Sequence, residues 1–189
     1  MSTIEGMAYE AALVRCWEAL AATGFDRPAS VRFLADEYSV DSRDKSVLSF
    51  SCNVPAKDHA KILILHYLAH KLKGLPELSG EWISFKELTA GENYYPAFRK
   101  RAIDPVIKKY GSNPDGLFSA LDRIPSRKGK AGDISIIVDV FEKVPVQVVM
   151  WRGDEEFVPE ANMLFDRNIA GIFETEDIAV LGGFIACQL

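Results

Sequence analysis

The sequence has few cysteines and none of the cysteine spacings that mark metal sites. Cys16, Cys52 and Cys187 lie far apart among 189 residues, and no C-x-x-C pair is present. This spacing excludes zinc knuckles and cysteine-ligated iron–sulfur centres. Isolated cysteines are typical of a reducing compartment, so we expect three unbridged thiols and a cytoplasmic protein.

Long apolar runs and excess positive charge are also missing. No apolar stretch reaches the roughly 20 residues of a transmembrane helix, and residues 1–14 lack the basic start of a signal peptide. The formal net charge is −5, which is unfavourable for binding nucleic acids or anionic membranes. We interpret the basic stretch Arg99–Arg101, with Lys108 and Lys109, as a solvated helix face. We therefore expect a soluble protein with neither kind of partner.

The clearest pattern in the chain is the stretch 134–151. Residues 134–141 alternate with a period of two and carry β-branched side chains on both faces, which is typical of a strand inside a sheet. Val144 and Pro145 predict a turn, after which residues 146–151 run back. The sequence therefore predicts that 134–151 forms the central hairpin of a sheet.

The remaining segments predict helices mixed with shorter strands. Helices are predicted at 5–23, at 55–73, at 94–110 with an interruption at Pro105, at 114–121, and at 175–187 with Thr175 as N-cap. Residues 31–40 and 47–52 predict a second hairpin, 80–88 a short strand or extended loop, and 163–166 an edge strand or helix start.

Strands and helices do not alternate regularly along the chain. We therefore predict an α+β fold, with a mainly antiparallel sheet built from two hairpins and covered by several helices. A single globular domain, 1–189, is expected, with the N-terminal helix 5–23 packed on it. In the last helix, Gly182 and Gly183 indicate close approach of another backbone.

All three histidines lie on one predicted helix. His59, His66 and His70 fall within about 40° of one another on a helical wheel, and lysines occupy the opposite side. His66 and His70, four residues apart, are close enough to share one metal ion, although Tyr67 stands where a zincin has glutamate. Three readings remain open: hydrogen-bonded structural imidazoles, ligands of a divalent metal or tetrapyrrole, or proton-transfer groups.

Three carboxylates follow the end of the central hairpin. Asp154, Glu155 and Glu156 come soon after Trp151, and Asp166 follows further on. Carboxylate oxygens suit a hard cation, although adjacent side chains cannot all face one ion and at most two would serve. The alternative is a charged turn that keeps the sheet end soluble. We also take Trp151 as a candidate cofactor contact.

One more carboxylate, Asp139, lies within the apolar strand 134–141. A buried carboxylate requires a partner or a raised pKa. Asp139 is thus either a site residue or one half of a structural ion pair with an arginine, and we expect the ion pair.

Several strings resemble a known prokaryotic family. They are ILILHYLAH, GEWISFKELTAGENYYPAF, GDISIIVDVF and VPVQVVMWRGDEEFVPEANMLFD. The chain resembles, from about Phe33 to its C-terminus, the family catalogued as domain of unknown function 3786. Proteins similar to this one occur largely in anaerobic bacteria and archaea, and some carry an added cysteine-rich iron–sulfur segment. The resemblance implies redox or metal-cofactor biology; this chain lacks that segment, and no catalytic residue is carried over.

Three functions follow as hypotheses. The first is a protein of anaerobic metabolism that binds or handles a metal or tetrapyrrole cofactor near His66 and His70. The second is a non-catalytic module that docks on a protein partner or on a second copy of the chain through exposed aromatic residues. Those aromatics are Trp82, Tyr94, Tyr95, Phe98 and Trp151. The third is a small enzyme in which a loop carboxylate acts beside a histidine.

Overall fold

Two parallel helices and a small sheet make up the first of two units in the chain. The computed structural model describes residues 3–189, divided into Met1–Pro76 and Glu77–Leu189. The described residues contain five α-helices and two antiparallel sheets, of three and five strands. The predicted α+β class is confirmed, with the two predicted hairpins in separate sheets. The prediction of a single domain stays a prediction.

In the first unit, helix α1 (Thr3–Ala21) packs against helix α2 (Asp58–Lys73). Tyr9 contacts His59, and seven residues further along both helices Cys16 contacts His66. Because the contacts advance together along the two helices, α1 and α2 run in the same direction. Helix α2 buries apolar side chains on more than one side, since residues 63–65 are consecutive and point in directions about 100° apart. The buried side chains include Leu63, Ile64, Leu65, Tyr67 and Leu68. The helix begins at Asp58 rather than at Pro55, because Pro55 forms an isolated bridge with Leu48.

The small sheet is a three-stranded meander rather than a hairpin. Strands β1 (Ala29–Phe33), β2 (Asp36–Asp41) and β3 (Ser46–Ser49) lie in that order. The predicted long strand 31–40 is wrong, because Leu34, at φ 54°, turns the chain in its middle. The identity of residue 34 did not predict this turn, because positive φ angles are common at glycine and asparagine but not at leucine.

The second unit is built on a five-stranded antiparallel sheet. Its strands, in spatial order, are β4 (Trp82–Ser84), β8 (Glu160–Asp166), β7 (Val144–Trp151), β6 (Ile134–Phe141) and β5 (Ser126–Lys128). Strand β7 is central and β6 is internal, which confirms the predicted central hairpin. Strand β8 lies between β4 and β7, so the prediction of an edge strand at 163–166 is wrong, and β4 forms that edge.

The turn of the central hairpin is at Glu142 and Lys143, not at Val144 and Pro145. Lys143 adopts φ 58° there, while Val144 and Pro145 are strand residues. Proline is tolerated at this point because the pairing between β7 and β8 begins only at Val146, so β8 requires no N–H from Pro145.

Helices pack on this sheet, whose central strand β7 is buried on both faces from Val144 to Met150. They comprise α3 (Gly91–Phe98), a π-helical segment (Arg99–Ile103), α4 (Asp104–Tyr110), a 3₁₀ helix (Pro114–Asp122), a second one (Arg167–Gly171) and α5 (Thr175–Gln188). The predicted interruption near Pro105 takes the form of the π-helical segment. In α5 the N-cap is Glu174 rather than Thr175, whose hydroxyl donates to the Thr89 carbonyl oxygen.

Gly182 explains how α5 packs against the π-helical segment. A Cβ at Gly182 would lie 2.7 Å from the Phe98 ring and 3.0 Å from the Ala102 Cβ. The close approach at Gly182 is therefore made by side chains rather than by the other backbone that was expected, and a Cβ at Gly183 would meet only ordinary contacts, at 3.8 Å or more. None of the helices in the described part of the chain has the length and apolar character required to cross a bilayer.

Candidate functional site

The histidine line of α2 faces α1. The Tyr9 hydroxyl is hydrogen-bonded to His59 Nε2, and the two rings lie 4.4 Å apart between centroids. One heptad further on, Cys16 Sγ lies 3.2 Å from His66 Nε2. We name these four residues, with His70, the histidine seam. The contacts agree with the interpretation of His59 and His66 as hydrogen-bonded structural residues, here between two packed helices.

His70 continues the seam by one turn and is half-buried. Burial lowers the pKa of His70, and the positive charges of Lys73 and His66 act in the same direction. A neutral imidazole at His70 has a lone pair available for a metal. However, among the described residues no three His, Cys, Asp or Glu side chains lie close enough together to hold an ion. A site of two protein ligands at His66 and His70 stays a prediction, as does the cavity expected beside them.

Asp154 organises the acidic loop, residues 152–159. Its Oδ1 accepts hydrogen bonds of 2.8 Å from the backbone N–H groups of Glu156 and Phe157, and its own N–H donates to the Phe157 carbonyl oxygen at 2.9 Å. The Glu156 and Phe157 N–H groups hold the pKa of Asp154 below its ordinary value. Asp154 thus closes the loop locally, and its Oδ1 is already used.

Glu155 and Glu156 differ from Asp154. Both are exposed, and neither forms an ion pair with any residue that the structure describes. Two arginines are paired within the protein, since Arg152 pairs with Asp115 at 2.7 Å and Arg99 lies 3.8 Å from Glu160. The role of Glu155 and Glu156 as metal ligands stays a prediction.

Asp166 is buried at the end of β8 and holds the chain beside it. Its carboxylate accepts the N–H groups of Ser79, Gly80 and Asn168 at 3.1, 2.9 and 3.0 Å, and the Ser79 hydroxyl at 3.0 Å. Burial alone would raise the pKa of Asp166, but these hydrogen bonds outweigh it and hold the pKa below its ordinary value. A carboxylate with this many internal donors acts as a structural anchor.

Asp139 has the arginine partner that was expected. Arg127 Nη1 lies 2.6 and 2.8 Å from its two carboxylate oxygens. The side chain is 40% exposed, so the premise that Asp139 is buried was wrong. It lies on the sheet face opposite that of Ile136 and Val138, because strand side chains alternate between faces.

Large apolar side chains are exposed at and after the end of β7. Trp151 is 41% exposed, and the loop residues Phe157 and Val158, at 68% and 75%, are the most exposed large apolar side chains in the described chain. Of the five aromatics named from sequence, Tyr94 and Trp151 are exposed and Trp82 and Tyr95 are half-buried. Phe98 is fully buried and stacks on Phe85 at 4.1 Å, so its assignment to a docking surface is wrong.

The acidic loop borders an open depression of about 560 Å³. Gly111 and Ser112, after α4, line one part of it, and residues 153–159 line the rest. Pro159 packs against the end of α4, where a Cβ at Gly111 would lie 3.1 Å from its Cγ. At Gly153 a Cβ would lie 2.7 Å from Pro159 Cδ. These close contacts, together with the Asp154 hydrogen bonds, fix the conformation of the loop.

Sequence reasoning missed two sets of residues. Cys16 and Tyr9 were not matched to the histidines, because no local pattern joins positions fifty residues apart. Phe157 and Val158 were overlooked because they have no helical or strand periodicity. The available signal was two large apolar residues directly after three carboxylates in a segment with no regular structure, where burial is not enforced by a sheet or helix.

Comparison with known protein families gives a match over most of the chain. The model of the family described as domain of unknown function 3786 matches residues 18–187, beginning upstream of the Phe33 boundary expected from the sequence. Neither the comparison with curated proteins nor that with solved structures gave a match. The matched range contains α2, the acidic loop and both sheets, whereas Tyr9 and Cys16 precede it.

Proposed function

This chain belongs to the family of domain of unknown function 3786, and we propose that it is a non-catalytic module that docks on a partner protein through the acidic loop and Trp151. The observation that carries the proposal is the exposure of Phe157 and Val158 on a loop of fixed conformation. Large apolar side chains held out in water are a feature of protein–protein interfaces.

The fixed conformation of the loop favours binding. Association costs less ordering entropy when the contacting residues are already held in place. Here the backbone between Asp154 and Phe157 is closed by three internal hydrogen bonds, and Gly153 packs against Pro159. Trp151, at the foot of the loop, adds an aromatic side chain of the kind enriched among the residues that dominate binding energy.

Site-specific photocrosslinking tests the proposal. A photoreactive phenylalanine analogue replaces Phe157 in the full chain, and a control protein carries it at Leu78, a 47% exposed residue of the same unit. In lysate of the source organism, we expect an identified protein to crosslink from position 157 and not from 78. The purified partner should bind the wild-type chain at least about tenfold more tightly than a Phe157→Ala/Val158→Ala variant.

A matched substitution controls for surface hydrophobicity. Leu78→Ala removes a comparable exposed side chain and should leave partner affinity unchanged. Equal crosslinking from positions 157 and 78, or an unchanged affinity in the Phe157→Ala/Val158→Ala variant, would contradict the proposal.

Cofactor binding at the histidine seam is the second candidate function. The observation in its favour is the Cys16 thiol, whose Sγ lies 3.2 Å from His66 Nε2 and places a sulfur donor beside that imidazole. Thiolate and imidazole are the ligands that Zn²⁺ prefers. Metal content and zinc affinity should then fall in a His66→Ala variant, and zinc binding should weaken on acidification as protons compete for the donors. Equal metal content in both proteins would remove the ligand role.

A further inference from the structure

The charges of the acidic loop select the kind of partner that fits it. Residues 151–160 contain one cation, Arg152, and four carboxylates, at positions 154, 155, 156 and 160. Arg152 is paired with Asp115, so its charge is largely compensated inside the protein. The loop segment therefore carries a net negative charge beside its exposed apolar side chains.

Glu155 and Glu156 are the carboxylates left to face a partner. Asp154 is occupied by backbone N–H groups, and Glu160 lies near Arg99. Glu155 and Glu156 have no ion-pair partner among the described residues and immediately precede Phe157 and Val158. These two carboxylates and the two apolar side chains also line the depression of about 560 Å³.

Resting on the proposed function, we infer that the acidic loop recognises a basic protein segment that carries apolar side chains between its lysines or arginines. Its apolar residues would contact Phe157 and Val158 at the depression, and its cations would face Glu155 and Glu156. A partner with negative charge is disfavoured, because like charges brought together at an interface cost binding free energy. Charge complementarity of this kind also increases the rate of association.

A synthetic peptide tests the chemistry without knowledge of the natural partner. The probe is a 12-residue peptide of alternating lysine and leucine with a fluorescent label, and its counterpart alternates glutamate and leucine. We expect the lysine peptide to bind the full chain in anisotropy titrations, with affinity that falls as salt rises. The glutamate peptide should show at least about tenfold weaker binding.

Charge reversal assigns the binding to the loop. The Glu155→Lys/Glu156→Lys variant should bind the lysine peptide at least about tenfold more weakly than the wild-type chain. The matched control is Glu10→Lys/Glu18→Lys, which changes the net charge equally at two exposed glutamates of the other unit. The control should change affinity by less than about twofold, since neither glutamate belongs to the loop that the inference names and exposed charges outside a binding site are screened by salt. Similar losses in both variants would overturn the inference.

The natural partner provides a second, separable result. The peptide crosslinked to position 157 should be rich in lysine or arginine, and its binding should be lost in Glu155→Lys/Glu156→Lys. If that segment is neutral or acidic, or is a second copy of this chain, the basic-segment inference fails while the docking function stands. If no identified protein crosslinks, the docking function itself fails.

Discussion

The histidine seam and the acidic loop differ in how their polar groups are satisfied. In the seam, the Tyr9 hydroxyl and the Cys16 thiol contact the imidazoles of His59 and His66 between two packed helices. In the acidic loop, Asp154 is used internally, whereas Glu155, Glu156 and Phe157 face outward. The imidazoles of His59 and His66 therefore already have hydrogen-bond partners within the fold, whereas the carboxylates of Glu155 and Glu156 remain available to a binding partner. Availability, more than residue type, indicates where a partner binds.

The largest expected effect is the loss of the sheet that supports the acidic loop. Ile136 is fully buried in β6, so Ile136→Asp places a carboxylate among apolar side chains and should cost several kcal/mol of a total stability of about 5–15. Thermal unfolding should show a large drop in Tm. A melting temperature within a few degrees of wild type would contradict the central position of β6. Ile137→Asp, at a half-buried position on the other sheet face, is the control and should cost less.

The next effect concerns Asp166, whose pKa is lowered in the folded protein. Because the unfolded chain binds this proton more readily, the carboxylate contributes stability above its unfolded pKa of about 3.9 and loses it as pH falls through the folded pKa. Asp166→Asn should cost about 1–3 kcal/mol near neutral pH, since an amide cannot accept all four hydrogen bonds.

Denaturant titrations at several pH values check this prediction. The stability difference between wild type and Asp166→Asn should shrink as pH falls from about 5 to about 2. Asp44→Asn, at an exposed turn position, is the control and should stay within about 0.5 kcal/mol of wild type. A difference independent of pH would show that the carboxylate is not ionised in the way its hydrogen bonds require.

Much of the fold follows from local patterns, and the failures have physical causes. The alternation at 134–141 identified an internal strand. The histidine line of α2 is only half-buried against α1, whereas Ile64 and Leu68, on the side where lysines were counted, are buried. The chain reversal at Leu34 was missed because its left-handed backbone is imposed by the surrounding structure. The turn was misplaced because Pro145 resembles a turn residue, yet it occupies a strand position beyond the pairing with β8.

The candidate site was predictable only in part. Trp151 and the carboxylates were named as candidates because they follow a strand end. The assignment of Phe98 to the surface failed because its ring stacks on Phe85, a partner thirteen positions away that no periodic pattern predicts. The partners of His59 and His66 lie on α1, fifty positions earlier in the chain, where no local pattern links them to α2.

A smaller effect sharpens the description of the seam. If the Cys16–His66 contact stabilises the packing of α1 on α2, Cys16→Ala and His66→Ala should each destabilise the protein by about 1–2 kcal/mol. The double variant should lose less than the sum, with a coupling of about 0.5–1.5 kcal/mol. Strictly additive losses in a double-mutant cycle would show that the thiol and the imidazole do not interact in solution.

The smallest effect on stability is expected at Phe157. Because its ring is mostly in water, Phe157→Ala should change the free energy of unfolding by less than about 0.5 kcal/mol. Phe165→Ala, in the core of the same sheet, should cost about 3–5 kcal/mol. Chemical denaturation compares the two. A cost at Phe157 approaching that at Phe165 would mean that the ring packs within the protein rather than serving a partner.

The fifty-residue offset in the contacts between α1 and α2 bears on the order of folding. Tyr9 and Cys16 meet His59 and His66 only after the whole segment between the helices has been synthesised and the loop it forms has closed. Bringing together residues this far apart in sequence costs conformational entropy of the intervening loop before any favourable packing energy is gained. The meander at 29–49 shortens the effective loop once its own hairpins, which join near neighbours, have formed. We therefore expect α1 to dock after the meander, as a late event in the folding of the first unit.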